Sequence, residues 1–218
     1  ATWKKNGETE IRPDWGLSDR RLLELAKDEL TTLHDAGQPF NLTVMTLDTH
    51  DQPYLYDYCD IKTKEPLTGI SYCSMELVAD YIDFIEEQGY LEDTTVVVIG
   101  DHLKYQAPAN SYWETLKDLK GRTIFNRWSS PEEFSFARDT VDQYSVYPTV
   151  LELVGLEVAD HRAGLGLSAL VDASSTGSPQ GLSSTDYRNL MSSGSDDFYQ
   201  WLWGRREGPL PVTGRDNE

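Results

Sequence analysis

The sequence is poor in positive charge, in cysteine and in long apolar runs. Nineteen Lys and Arg residues stand against 37 Asp and Glu residues, which gives a formal net charge of −18. Because such a charge repels phosphate backbones and anionic bilayers, the composition argues against nucleic-acid binding. No stretch of about 18 apolar residues occurs, and the first residues lack a basic-then-apolar signal pattern. We therefore expect no membrane span within this sequence.

The only two cysteines are Cys59 and Cys73. They form neither a CxxC motif nor a zinc ribbon. The residues alone leave two interpretations open, which are a pair of buried thiols and a disulfide that closes a surface loop in an exported protein.

Helical and strand-like patterns alternate along most of the chain. Ser18 is a predicted N-cap for a helix ending before Gly37, and Gly89 ends a second predicted helix. The pattern predicts helices over 19–36, 71–88 and 141–154, the last broken near Pro148, and strands over 40–47, 94–99 and 122–128. Such alternation predicts an α/β sandwich with a mainly parallel sheet.

Composition divides the chain into three parts. Residues 1–171 form the predicted main domain, and residues 172–195 are a predicted linker because Ser, Gly, Thr and Asp bury little apolar surface. Residues 196–218 are predicted to hold a short aromatic helix and a charged tail.

Polar side chains follow two of the predicted strands, where ligands gather in α/β sheets. Asp101 and His102 come directly after the apolar run 94–99, and His50 follows the strand 40–47. Carboxylate plus imidazole suits Mn²⁺, Zn²⁺ or Fe, and protonated His50 could donate to a phosphoryl or sulfuryl oxygen. The structural alternatives are a capping Asp with a hydrogen-bonded His, and a solvent-exposed loop His.

Three stretches occur in the order and approximate separation of one family: DWGLSD at 14–19, TLDTH at 46–50 and VVIGDHL at 97–103. Together they resemble the phosphoglycerol transferase and lipoteichoic acid synthase branch of the sulfatase, or alkaline phosphatase, superfamily. YPTVLELVG at 147–155 and GLG at 164–166 resemble its closing segment. The resemblance covers roughly 14–170 and implies the C-terminal portion of a three-layer alkaline phosphatase-like sandwich.

The resemblance implies roles for particular residues. Asp101 and His102 would be ligands of a catalytic divalent metal, Mn²⁺ first, with Zn²⁺, Mg²⁺ or Ca²⁺ as alternatives. His50 would contact the phosphate of the bound group, and Cys59 and Cys73 would form a disulfide. The family's nucleophilic Thr has no counterpart in this chain, so we expect the chain alone to be inactive.

The implied reaction moves phosphoglycerol from a membrane phospholipid to a cell-envelope glycan or glycolipid. It would take place on the extracytoplasmic face of the cytoplasmic membrane or in the periplasm, with anchoring by upstream helices outside this chain. Alternatives are a sulfatase, a phosphodiesterase or a phosphoethanolamine transferase of the same superfamily. A different class is a non-catalytic glycan-binding module that uses the tyrosine loop 54–58 and the terminal tryptophans.

Overall fold

The structure, a computed structural model, describes residues 11–12, 16–50, 54–60, 63, 66–104, 113–118, 123–174 and 176–194. The chain divides into two compact units, 1–131 and 132–218. This boundary differs from the one that composition predicts at 171, since Gln180 and Tyr187, beyond that point, hydrogen-bond to Asp142. The predicted aromatic helix and tail at 196–218 lie outside the described residues.

Unit 1 contains two long helices, α1 (Asp19–Asp35) and α2 (Pro66–Glu87). The Ser18 hydroxyl accepts from the Arg21 amide at 3.2 Å, so the predicted N-cap of α1 is confirmed. Gly37 and Gly89 have φ of +60° and +77°, which favours glycine where each helix stops. α2 begins five residues earlier than predicted, at Pro66, a residue suited to the first helical turn. No helix among the described residues is long and apolar enough to cross a bilayer.

The strands of unit 1 are short. β1 (Ile11–Arg12) pairs with β2 (Gly16–Leu17), and β3 (Val96–Ile99) pairs with β4 (Asn126–Ser129), both antiparallel. A four-residue helix, α3 (Trp113–Leu116), lies between β3 and β4 in sequence. In the β3–β4 register, Val96 lies opposite Ser129 and Ile99 opposite Asn126.

Two strand predictions need correction. Segment 40–47 alternates between half-buried and exposed residues as far as Thr46, but it forms no strand and belongs to no sheet among the described residues. β3 is half-buried rather than enclosed on both faces, and Ile99 is exposed, because the described part of the chain supplies only β4 beside it. The mainly parallel, three-layer sandwich is therefore not confirmed by these residues.

The apolar interior of unit 1 consists of two clusters. One joins α1 to the end of α2 through Leu30, Ile85 and Tyr90, with Phe40 and Leu42 packed against it. The other joins the tyrosine loop to the start of α2, and its buried members are Tyr56, Cys59, Leu67, Ile70 and Cys73. The second cluster lies beside the predicted functional segment at 46–50.

Unit 2 is built around α4 (Gln143–Leu153) and a hairpin of β5 (Arg162–Ala163) and β6 (Gly166–Leu167). Asp142 caps α4, since its carboxylate accepts from the Ser145 amide at 2.8 Å. Within α4, the Thr149 hydroxyl donates to the Ser145 carbonyl and accepts from the Ala169 amide at 2.8 Å. The helix is therefore tied to the chain that follows β6.

The predicted linker carries regular structure. It contains a 3-10 turn (Pro179–Gly181) and α5 (Ser184–Ser192). The Gln180 amide and the Tyr187 hydroxyl both donate to the carboxylate of Asp142. Burial alone would raise the pKa of Asp142, but hydrogen bonds from Ser145, Tyr187 and Gln180 outweigh it and lower that pKa. Hydrogen bonds to the Asp142 carboxylate thus tie down residues 179–192, although the low apolar content of this segment predicts an unstructured linker.

Pro148 does not break α4. It lacks an N–H group, so the Tyr144 carbonyl four residues earlier receives no helical bond from it. Gly166 packs at this point so closely that a Cβ there would lie 1.9 Å from the Tyr144 oxygen. The proline and the glycine therefore form one close contact between helix and hairpin.

We predict that Gly166→Ala lowers the free energy of unfolding of unit 2 by about 3 kcal/mol, because the clash is with backbone atoms that cannot rotate away. Gly194→Ala is the matched control, since a Cβ there meets nothing within 4 Å. The control should change stability by less than about 0.5 kcal/mol. Urea unfolding followed by circular dichroism measures both, and equal stability of the two variants would contradict the close approach.

Candidate active site

Two buried aspartates join the start of α1 to the segment before His50. The Asp19 carboxylate accepts from the Leu47 amide at 2.7 Å and from the Asp48 amide at 3.2 Å. The Asp48 carboxylate accepts from the Asp19 amide at 2.8 Å. Each side chain is 1% exposed. This reciprocal exchange, here called the aspartate clamp, supplies an acceptor for a backbone N–H at the N-terminus of α1.

Two hydroxyl groups complete the aspartate clamp. Ser74, on α2, donates to the Asp19 carboxylate at 2.7 Å. Tyr56 donates to the Asp48 carboxylate at 3.1 Å. A buried carboxylate is tolerated only where donors compensate for lost hydration. The clamp therefore holds four segments together: α1, the 47–50 turn, the tyrosine loop and α2.

A disulfide joins the two segments that carry these hydroxyl groups. Cys59 and Cys73 are bonded, with their Cα atoms 5.5 Å apart. The bond excludes the interpretation as two free thiols, and it agrees with the pairing that the family resemblance implied.

His50 lies at the exposed end of the clamped segment. Its backbone N–H donates to the Leu47 carbonyl at 3.0 Å, which closes the turn 47–50 that begins with the two clamped residues, Leu47 and Asp48. The side chain is exposed to solvent. The buried aspartate clamp thus supports a turn whose His50 imidazole is accessible to solvent.

Asp101 and His102 lie just past β3 and are strongly exposed, with side-chain exposures of 81% and 71%. His102 Nε2 lies 3.3 Å from an Asp101 carboxylate oxygen. His102 Nδ1 is 2.9 Å from the Leu103 carbonyl. A carbonyl can only accept, so Nδ1 carries the proton in this contact, and the neutral ring keeps its lone pair on Nε2.

These two donor atoms fit a shared divalent ion. Ligand atoms about 2.1 Å from one metal, at angles of about 90° to 110°, lie roughly 3.0 to 3.4 Å apart. Anchoring of the second ring nitrogen by a carbonyl is also usual for ligating histidines. An ion pair between Asp101 and protonated His102 has the same separation. Among the described residues, no group of three or more His, Cys, Asp or Glu side chains is placed to hold a metal.

Lys104 connects the two predicted clusters. Its ammonium group lies 3.4 Å from the Thr49 carbonyl, so the segment after His102 meets the His50 turn. Lys104, Asp19 and Asp48 were not among the site residues predicted from the sequence. Both aspartates do lie within the motif stretches, and Lys104 is a cation two residues after His102 in an acidic chain.

The remaining histidines make structural contacts. His34 lies 3.1 Å from an Asp93 carboxylate oxygen and stacks on Tyr90. His161 Nδ1 lies 2.6 Å from a Glu152 oxygen.

Comparison with known proteins agrees with the motifs. The Sulfatase family profile matches residues 1–156, and the chain belongs to this family. Membership implies an α/β fold of the alkaline phosphatase type.

Similar curated proteins include phosphoglycerol transferase I of Salmonella paratyphi B, Salmonella typhimurium and Salmonella arizonae, each 33% identical over 172 residues. These matches cover 73% of this chain but 21% of each relative, so the chain spans about a fifth of their length. They confirm the resemblance to the phosphoglycerol transferase branch. No solved structure matches the chain.

We predict that Asp19→Ala destabilises unit 1 by about 3 kcal/mol or more, because buried N–H and O–H donors from Leu47, Asp48 and Ser74 lose their acceptor. Asp28→Ala, at an exposed position of the same helix, is the control and should cost less than about 0.5 kcal/mol. Guanidinium unfolding measures both. Similar midpoints for the two variants would show that the aspartate clamp does not stabilise the unit.

Proposed function

We propose that this chain is part of a metal-dependent transferase that moves phosphoglycerol from a membrane phospholipid to a cell-envelope glycan or glycolipid. Asp101 and His102 are the metal ligands in this proposal, with Mn²⁺ as the first choice and Zn²⁺, Mg²⁺ or Ca²⁺ as alternatives. His50 contacts the phosphate. The nucleophilic Thr and the remaining ligands belong to parts of the enzyme outside these 218 residues.

One observation carries the proposal: Asp101 and His102 present their donor atoms 3.3 Å apart, with the other imidazole nitrogen anchored at the Leu103 carbonyl. The pair follows β3 at the carboxyl end of the strand, and both side chains are exposed to solvent. The names of the relatives support phosphoglycerol as the group transferred.

The residues of this chain would bind and orient the anionic group. A divalent metal held here would act as a Lewis acid that stabilises charge on the phosphoryl oxygens. His50, when protonated, donates to a phosphoryl oxygen from the turn that the aspartate clamp supports. The Lys104 ammonium, 3.4 Å from the Thr49 carbonyl, adds positive charge next to that turn. Positive charge here offsets the acidity of the chain toward an anionic donor.

The disulfide supports an extracytoplasmic location, because such bonds persist in oxidising compartments. We therefore propose that the reaction takes place in the periplasm or on the outer face of the cytoplasmic membrane. Attachment to that membrane by helices outside this chain is part of the same proposal.

The alternative of a glycan-binding module draws less support. Tyr56 is buried and Tyr58 is covered by the Arg20 guanidinium, 3.9 Å from the ring centre, so Tyr54 is the exposed aromatic ring of the 54–58 loop. The terminal tryptophans Trp201 and Trp203 lie outside the described residues. A single exposed ring is a weak stacking platform.

We predict that Mn²⁺, titrated into the 218-residue chain, broadens the NMR signals of Asp101, His102 and Lys104 at the lowest concentrations. The signals of Thr49 and His50 should broaden with them, because Lys104 contacts Thr49. The paired residues His34 and Asp93 are an internal control, as an exposed His–Asp contact of similar length. Asp101→Ala with His102→Ala should abolish the selective broadening.

Two results would contradict the proposed metal ligands. One is broadening at His34 and Asp93 at the same Mn²⁺ concentration as at Asp101 and His102. The other is broadening near residue 101 that survives the double substitution.

In the complete enzyme that contains this chain, we predict that Asp101→Ala with His102→Ala lowers kcat for phosphoglycerol transfer more than about a hundredfold. Loss of a residue that only hydrogen-bonds to a metal ligand can cost about 10- to 100-fold, and loss of two ligands should cost more. Release of phosphoglycerol from labelled phosphatidylglycerol measures the effect, with His34→Ala as the control. Full transfer by the double variant would refute the proposed metal ligands, and no release of phosphoglycerol by the unsubstituted enzyme would refute the proposed reaction. Equal turnover of a sulfate ester would instead favour a sulfatase.

A further inference from the structure

The hydroxyls that complete the aspartate clamp come from the two segments that the disulfide joins. Tyr56 precedes Cys59 by one turn, and the Cys59 amide donates to the Tyr56 carbonyl at 3.0 Å. Ser74 follows Cys73 directly on α2. The Cys59–Cys73 bond therefore connects the two segments that supply the Tyr56–Asp48 and the Ser74–Asp19 hydrogen bonds.

We propose that the Cys59–Cys73 disulfide is a positioning element for the His50 turn, acting through Tyr56 and Ser74 on the aspartate clamp. Reduction of the bond releases the tyrosine loop and loosens the turn that carries His50. The proposal rests on the proposed function only for the role of His50 as a phosphate contact.

The tyrosine loop 54–58, with Cys59 and Asp60 after it, depends on side-chain packing for its position. Its described residues form no helix or strand. The Tyr56 ring stacks on Tyr58 with centres 5.0 Å apart and meets the edge of Tyr54 at 4.7 Å. Cys59 and Cys73 belong to the same buried cluster. Without the covalent bond, the loop gains conformations in which the Tyr56 hydroxyl is away from Asp48.

Displacement of Tyr56 changes the His50 turn because Asp48 is part of that turn. The Asp48 carboxylate is buried, and losing this donor raises the cost of keeping it there. The Leu47 and Asp48 amides are held by Asp19, and His50 bonds to the Leu47 carbonyl. Motion at Asp48 is thereby passed to His50 through adjacent backbone bonds.

The chemistry of release is thiol–disulfide exchange with a dithiol. One thiolate of the dithiol attacks a sulfur and forms a mixed disulfide, and its second thiolate then displaces the protein sulfur. Two electrons and two protons pass to Cys59 and Cys73, and the dithiol becomes a cyclic disulfide. Both cysteines are buried, so the exchange requires local opening of the loop.

The test is NMR spectroscopy of the full 218-residue chain without metal. The readouts are the exchange rates of the Leu47 and Asp48 amides and the imidazole signals of His50. The variants are Cys59→Ala with Cys73→Ala, Tyr56→Phe and Ser74→Ala. Tyr58→Phe is the matched control, since it removes the same atom from the neighbouring stacked ring.

We expect Tyr56→Phe to speed exchange of the Asp48 amide about fivefold, as for loss of one hydrogen bond, and the double cysteine variant to do so more strongly. The His50 signals should shift with the same variants, while β3–β4 and α4 signals stay in place. Reduction by dithiothreitol should reproduce the double variant, and reoxidation should restore the original spectrum.

Unchanged His50 signals and amide exchange in the double cysteine variant would overturn the proposal. So would an equal effect of Tyr58→Phe and Tyr56→Phe. If the expected changes occur but His50→Ala leaves phosphoglycerol transfer by the complete enzyme intact, the positioning by the disulfide stands and the proposed role of His50 fails.

Discussion

The carboxylates of Asp19 and Asp48 each accept a hydrogen bond from the backbone of the other residue, and unit 1 is arranged around this exchange. Helix α1 needs acceptors for its first N–H groups, and a buried carboxylate needs several donors. The exchange satisfies both needs at once. It fixes the backbone of Leu47 and Asp48 and therefore the position from which His50 emerges.

The candidate site combines a buried support with exposed chemistry. His50, Asp101 and His102 are all accessible, and Lys104 links the two segments that carry them. The proposed substrate and metal would need this access. The position of His50 therefore depends on the interior, where the aspartate clamp and the disulfide-bonded loop hold the backbone of the His50 turn.

In unit 2, polar contacts rather than apolar burial hold the last described segment in place. Composition predicts a linker at 172–195, since its residues bury little apolar surface. In the structure, Asp142 collects hydrogen bonds from Gln180 and Tyr187, and that polar connection orders the segment. The helix predicted to break at Pro148 continues through it, and Gly166 of the hairpin packs against the carbonyl that the proline leaves without a helical bond.

The sequence by itself determined the features that depend on near neighbours. Ser18, Gly37 and Gly89 mark helix ends because caps and left-handed turns act over a few residues, and the Gly-Asp-His stretch follows an apolar run that becomes β3. Only the tertiary structure decided that Asp19 faces Asp48, 29 positions away, that the cysteines are bonded, and that β3 pairs antiparallel with β4. Periodicity specifies which face of an element is apolar, but the partner of a buried polar group depends on how distant segments pack, and no local pattern encodes that geometry.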